Sequence, residues 1–209
     1  MTNGNNNTKH KAYIKAYEED RKICRKELIK SKKNLKNRKT PFFVIYEGFK
    51  NYLPLLSNNS VKLYLYIGFN IDYRKGFFIC DLDKLSAFFQ RSLETLNSWL
   101  MELQAAQLIL VKQEEGKTYI FISPYNTDLK YDQNNTIEKL VDTYKSWINT
   151  KKWSNQESHE LFYCIPETFM NYWSELRPGS IKVYVYSILS ADVMKGFFFK
   201  TLDTICHDL

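Results

Sequence analysis

Six polar side chains crowd into eight consecutive positions: Arg91, Ser92, Glu94, Thr95, Asn97 and Ser98. Guanidinium, amide and hydroxyl groups at the start of a helix can exchange hydrogen bonds with base edges in the major groove of DNA. Asn97 suits bidentate pairing with adenine, Arg91 suits guanine or a phosphate, and Thr95 suits a phosphate or a thymine methyl. A second group is cationic. Lys22, Arg25, Lys26, Lys30, Lys32, Lys33, Lys36, Arg38 and Lys39 crowd the first forty residues, and Lys112 and Lys117 flank a Gly-containing turn. Ammonium and guanidinium groups in such runs neutralise phosphates without reading sequence. The opposing explanation for the polar octet is that it is the solvated face of a surface helix, which has to be polar in any case.

Other chemistries find less support. The four cysteines (Cys24, Cys80, Cys164, Cys206) and three histidines (His10, His159, His207) are scattered, without metal-ligand spacing. Glu115-Gly116-Lys117-Thr118 resembles the end of a phosphate-binding loop, but that loop needs Gly at 111, where Val111 stands. No His-x-His pair accompanies the 15 tyrosines, as a metal-dependent nicking enzyme would require. No Ser/His/Asp or Cys/His grouping follows from spacing. The expectation is a non-enzyme without cofactor or metal. No apolar run reaches the roughly 18 residues of a membrane span, and the Asn-rich start is no signal peptide. A cytoplasmic protein without membrane contact is expected.

Between and beyond these groups the chain carries an internal repeat. With a shift of 120 residues, 43–89 lies over 163–209 without a gap, and 17 of the 47 positions are identical, from Ile45 to Asp83. Ser60-Val61-Lys62-Leu63-Tyr64-Leu65-Tyr66 matches Ser180-Ile181-Lys182-Val183-Tyr184-Val185-Tyr186, and Lys75-Gly76-Phe77-Phe78 matches Lys195-Gly196-Phe197-Phe198. A gapless match of this length points to duplication. Leu209 aligns with Phe89, inside an amphipathic segment, which is read as a fragment or a truncated gene in preference to a natural end.

Patterning assigns elements to the longer copy. Residues 58–69 start with Asn/Ser capping residues and read as a buried helix. Lys75-Gly76 is a turn and Phe77-Phe78-Ile79 a short strand. Asp81 or Asp83 caps a second helix with Leu82, Leu85, Phe88 and Phe89 at helical spacing. After the turn Gln90-Arg91-Ser92, Ser92 caps a third helix with Leu96, Trp99, Leu100 and Leu103 inward. Leu108-Ile109-Leu110-Val111 and Tyr119-Ile120-Phe121-Ile122 flank a turn at 114–117 and read as a hairpin. A further helix over 134–149 lines up Ile137, Leu140, Val141, Tyr144, Trp147 and Ile148, a stripe read as core or inter-domain packing. Residues 126–133 and 150–159 read as connecting loops.

Helix, strand, helix, tight turn, helix, hairpin is the order of a winged helix-turn-helix. The stretch from Ser92 to Ile109, with its capped Ser/Thr start, Leu pair and Leu-Ile entry into the hairpin, resembles the recognition-helix segment of winged-helix proteins. Gln107 stands where that family usually has Gly. Phe42-Phe43-Val44-Ile45, followed by Leu56-Ser57-Asn58-Asn59-Ser60-Val61-Lys62-Leu63-Tyr64, is similar to the N-terminal domains of plasmid replication initiators and primosomal helicase loaders. The resemblance implies a mainly α fold with small β-hairpins (α+β), built as a tandem winged-helix repeat with an incomplete second copy. The expected organisation is a basic helical arm (1–40), a first winged helix (41–125), a linker with an amphipathic helix (126–159) and a second winged helix truncated before its recognition helix (160–209).

The resemblance implies double-stranded DNA as partner and replication initiation for a plasmid or mobile element as role, with a homodimer or a replication protein as protein contact. A transcriptional regulator is the alternative on the same fold, and a protein-binding adaptor with little DNA contact is the alternative from another class. Charge bears on the choice. The net +7 divides into 13 Lys/Arg against 4 Asp/Glu in residues 1–40 and 17 against 19 in residues 41–209. Phosphate neutralisation is therefore expected chiefly from the arm.

Overall fold

The structure, a computed structural model, describes residues 42–123, 131–153, 162–191, 198 and 200–209. It is a mixed helix-and-strand protein with two small antiparallel sheets. The basic segment 1–40 lies outside the described residues.

The apolar run Phe42–Tyr46 forms β1 and pairs antiparallel with β5, Phe162–Pro166. The register is centred on Val44 and Cys164, two positions 120 apart, so each strand presents itself to the other in the same way. A 3-10 helix follows each strand, at Glu47–Leu55 and at Glu167–Tyr172. Helix α1, Asn58–Asn70, follows the first. Its cap is Ser57, one residue before the expected Asn/Ser cluster, whose Oγ accepts from the Ser60 amide at 3.2 Å. Val61, Leu63, Tyr64, Leu65 and Ile67 are buried, so the helix is enclosed on nearly every side. Gly68 allows this enclosure, because a Cβ there would lie 2.5 Å from the Phe43 ring.

Helix α2, Leu82–Phe89, is capped by Asp81 rather than Asp83; the Asp81 carboxylate accepts from the amides of Asp83 and Lys84. Helix α3, Leu93–Ala105, is capped by Ser92, with Leu96, Trp99, Leu100 and Leu103 buried. Gln107 ends the descent from α3 with φ 57, a left-handed conformation that Gly adopts more readily, so the turn into the hairpin keeps a glycine-like geometry with a side chain attached. Strands β3, Ile109–Glu114, and β4, Lys117–Ile122, are longer than the sequence pattern indicates. Their turn consists of Glu115 and Gly116 alone, both with positive φ, as a two-residue hairpin with right-handed strand twist requires. Strand β2, Phe77–Cys80, pairs with β4, giving the order β2-β4-β3.

Helix α4 spans Ile137–Trp153, starting later and ending later than the sequence reading, so residues 150–153 are helical and not loop. Its Leu140 and Tyr144 are buried, and Leu140 joins Phe77 and Phe121 in a second small core, which places this stripe in packing. Of the expected loop 126–133, residues 126–130 lie outside the described residues, while Tyr131 packs on the Phe121 ring. Helices α5, Pro178–Ser190, and α6, Leu202–Asp208, follow, and α5 packs on α1.

Contacts recur at positions 120 apart. Lys62 Nζ donates to the Leu176 carbonyl at 3.3 Å, and Lys182 Nζ donates to the Leu56 carbonyl at 3.0 Å. Phe49 stacks on Tyr64 with ring centroids 4.9 Å apart, and Phe169 stacks on Tyr184 at 4.8 Å. Tyr66 meets Phe78 edge-on, as Tyr186 meets Phe198. Burial lowers the pKa of both lysines, and the Leu176 and Leu56 carbonyls each lie in the half of the chain opposite to the lysine that reaches them.

At the start of α1, the Glu102 carboxylate of α3 accepts from the Ser57 amide, from Ser57 Oγ at 2.8 Å and from Ser60 Oγ. Ser60 is fully buried, so this acceptor has no ready substitute from water. Glu102→Ala is expected to destabilise the chain by about 1–3 kcal/mol, read as a lower urea midpoint with unchanged slope.

Candidate nucleic-acid interface

The four buried residues of α3 fix which side of the helix faces outward. Arg91, Ser92, Glu94, Asn97 and Ser98 are exposed, and Thr95 is half-buried. The structure therefore brings the six residues together at the start of one helix, Arg91 in the preceding turn, Ser92 at the cap and the other four on the first two turns, with Thr95 partly withdrawn.

The turn before α3 is held by its own hydrogen bonds. Gln90 takes the left-handed conformation at φ 53, and the Arg91 amide donates to the Ser86 carbonyl at 3.1 Å. Ser86 Oγ donates to the Arg91 carbonyl. Ser92 Oγ accepts from the Thr95 amide at 3.2 Å and lies 2.9 Å from Thr95 Oγ1, so both hydroxyls are engaged in capping. Arg91 Nη1 donates to the Gln90 carbonyl at 3.0 Å, which holds the guanidinium near the turn. Asn97, Ser98 and Glu94 are left to meet a ligand through their side chains, and Arg91 keeps the guanidinium donors that Gln90 does not take.

The hairpin cations differ. Lys117 is exposed at the start of β4, beside the Glu115-Gly116 turn. Lys112 is turned inward along the chain, where its Nζ donates to the Gln133 carbonyl at 3.0 Å and to the Asn135 carbonyl at 2.9 Å. Two of its three donors thus tie the hairpin to the segment before α4, and phosphate contact is a secondary use at most. Lys22, Arg25, Lys26, Lys32, Lys33, Lys36 and Lys39 lie outside the described residues.

Two features of this surface do not stand out in the sequence pattern. Leu93 and Met101 are exposed, Met101 by 67%. Together with Asn97 they stand four residues apart along the outer face of α3, a spacing readable as an apolar edge to the polar patch. Arg177 is the second feature. It lines, with Lys62, Tyr66, Phe88, Arg91 and Trp173, a cavity of about 690 Å³ between the turn before α3 and the start of α5. Lys62 Nζ lies 5.2 Å from the centre of the Trp173 ring, a cation–π arrangement.

The Cys80 thiol is buried and its pKa is pushed up to about 11, by burial first and by the Asp81 carboxylate second. It stays protonated at neutral pH, and a thiol in that state is a poor nucleophile. Among the described residues no group of three His, Cys, Asp or Glu side chains is placed to hold a metal ion, and no helix is long and apolar enough to cross a membrane. Comparison with protein-family models, with curated proteins and with solved structures finds no match to this chain.

Proposed function

We propose that the chain is a duplex-DNA-binding protein of tandem winged-helix design, acting in replication initiation of a plasmid or other mobile element. One observation carries this reading. The order α1, β2, α2, α3, β3, β4 with sheet order β2-β4-β3 leaves α3 with a polar outward start at Glu94, Asn97 and Ser98, next to Arg91. That is the arrangement in which a helix enters a major groove while a hairpin lies along the backbone. The tandem design is supported by the matched contacts at positions 120 apart. The basic arm, 1–40, supplies the phosphate contacts that the near-neutral α3 and hairpin lack, and replication initiation rests on the sequence resemblance.

The test is a titration of the whole chain with fluorescent duplexes over a range of salt. Arg91→Ala and Asn97→Ala are each expected to relax sequence preference, by about 1–3 kcal/mol for every base edge that is no longer read. Replacing Lys32, Lys33, Lys36 and Lys39 by Gln is expected to weaken binding to every duplex alike. The plot of log affinity against log salt then flattens by about 0.9 for each phosphate left without its lysine. Absence of binding to any duplex at low salt overturns the proposal. A plasmid-maintenance assay separates an initiator from a transcriptional regulator.

A second reading is favoured by Leu93 and Met101. The outer face of α3 carries Glu94 and no cation beyond Arg91 at its start, with two exposed apolar side chains. Such a face suits a protein partner, and Met101→Lys then abolishes partner binding while strengthening contact with DNA.

A further inference from the structure

The cavity of about 690 Å³ beside the turn before α3 falls within the roughly 300–1,000 Å³ of pockets that hold small ligands. Helix α1 supplies Lys62 and Tyr66, the end of α2 supplies Phe88, and the turn supplies Arg91. Trp173 and Arg177 come from the segment between the second 3-10 helix and α5. Three cations thus share one cavity with aromatic rings, and Glu175 is the one carboxylate that lines it.

None of the three cations is in an ion pair among the described residues. Lys62 Nζ donates to the Trp173 and Leu176 carbonyls, at 2.9 and 3.3 Å, and lies over the Trp173 ring. Dipoles and a π face therefore hold an ammonium that has no counter-ion, and burial lowers its pKa. Arg91 gives Nη1 to the Gln90 carbonyl and keeps its other donors, and the Arg177 guanidinium has no hydrogen-bond partner among the described residues. The aromatic side is also incomplete. Phe88 packs on Tyr66 with ring centroids 4.6 Å apart and is still 49% exposed. Trp173 is 5% exposed, and its buried Nε1–H has no acceptor. A buried donor without an acceptor is a standing cost, which a ligand carrying an acceptor removes.

We propose that this cavity binds a nucleotide unit, its phosphate among Arg91, Arg177 and Lys62 and its base against Phe88 and Tyr66. Guanidinium groups suit a phosphate because their paired donors match its oxygens. Aromatic side chains suit a base because every base has a π face. A free nucleotide and an unpaired nucleotide within a single strand share this chemistry. Of the groups assigned to duplex DNA only Arg91 lines the cavity, so either site can fail without the other.

The probes are ATP labelled on its ribose and a short fluorescein-labelled oligothymidylate, each titrated into the whole chain and followed by anisotropy. Saturable binding is expected, and the probe that binds more tightly identifies the source of the nucleotide. Arg177→Gln, which removes a charge-assisted contact, is expected to weaken it about tenfold. Phe88→Ala, which removes a stacking face, is expected to weaken it about fivefold or more. Both side chains are exposed, and the far-ultraviolet circular dichroism is expected to stay unchanged. Lys84→Gln, on α2 but outside this cavity, is expected to leave binding as it was. Three results overturn the proposal: no saturable binding of either probe, full binding to the Arg177→Gln or Phe88→Ala protein, or equal weakening by Lys84→Gln. Duplex DNA titrated into the same proteins serves as the separate readout, and its affinity is expected to be indifferent to Phe88→Ala.

Discussion

Raised above pH 10.5, the chain is expected to unfold cooperatively by about pH 12, with its buried tyrosines ionising in the same step. The phenols of Tyr64, Tyr131 and Tyr144 carry the effect. Tyr64 is 2% exposed, and burial, followed by the neighbouring Tyr52, Tyr73 and Tyr46, raises its pKa strongly. Tyr131 has its hydroxyl buried, and burial followed by Tyr144 raises it as well. Tyr144 is pushed up to about 12 by burial first, then by the Asp72 carboxylate and Tyr46. Below pH 10 each phenol is protonated in both folded and unfolded chains, and its contribution is fully present. Above pH 10 the unfolded chain releases the proton and the folded chain keeps it, so stability falls as pH rises towards the folded pKa. The slope is about 1.4 kcal/mol per pH unit for each tyrosine, or about 4 kcal/mol per unit for three. Two such units remove about 8 kcal/mol, as much as a chain in the lower half of the usual range of about 5–15 kcal/mol possesses. Lys62 and Lys182, whose pKa values are lowered by burial, act with the opposite sign, but only below their unfolded value of 10.5. Absorbance at 295 nm and circular dichroism recorded together test this. The phenols of Tyr64, Tyr131 and Tyr144 ionise together with the loss of helicity. Tyr64→Phe removes one contribution and moves the alkaline midpoint upward. A single smooth titration near pH 10 with the helices intact would falsify the assignment.

The same tyrosines show which parts of the fold were legible in the sequence. Helix α3 was legible because its information is local: Ser92 at the cap, and Leu96, Trp99, Leu100 and Leu103 at the helical period. The hairpin was legible from Gly116, although its turn is two residues and not four. The pairing of β1 with β5 was not, since Val44 and Cys164 lie 120 residues apart and no local signal specifies that register. The repeat indicated that the halves correspond, but not that they meet. Gln90 escaped for another reason: it takes left-handed backbone where Gly is the usual sign, whereas Gln107, marked in the sequence by standing in place of Gly, takes that same backbone. In the candidate site, the six residues around α3 lie together as the period required. The restraint on Lys112 was not legible, because the carbonyls that take two of its donors are 21 and 23 residues away. Leu93 and Met101 stand in the same helix pattern, but hydrogen-bonding groups are what signals a DNA-reading face, and these two carry none.

Gly76→Ala is expected to be among the most damaging single-methyl substitutions in the chain. Gly76 closes the turn between α1 and β2 with φ +78, its amide donating to the Asp72 carbonyl at 2.7 Å. A Cβ there would lie 2.3 Å from the Tyr144 ring of α4. Two costs combine: about 1–2 kcal/mol for an L side chain in left-handed backbone and about 1–3 kcal/mol for an overpacked contact. The sum, about 2–5 kcal/mol, lowers the melting temperature by on the order of 10 °C for a chain of this size. Gly116→Ala separates the two costs. It has the same sign of φ, +72, with no atom within 4 Å of the added carbon, so only the backbone cost remains. A double-mutant cycle of Gly76→Ala with Tyr144→Leu then reports the contact alone. Coupling of 1 kcal/mol or more, about the lower end of the overpacking range, is expected. That contact matters beyond its own energy, because Tyr144 and Leu140 are the buried residues with which α4 holds to the β2-β4-β3 sheet and its turns. Zero coupling would mean that α4 does not sit on this turn in solution. Lys112 would then be released from the carbonyls of Gln133 and Asn135 that restrain it, and the hairpin would regain a second cation to offer a phosphate.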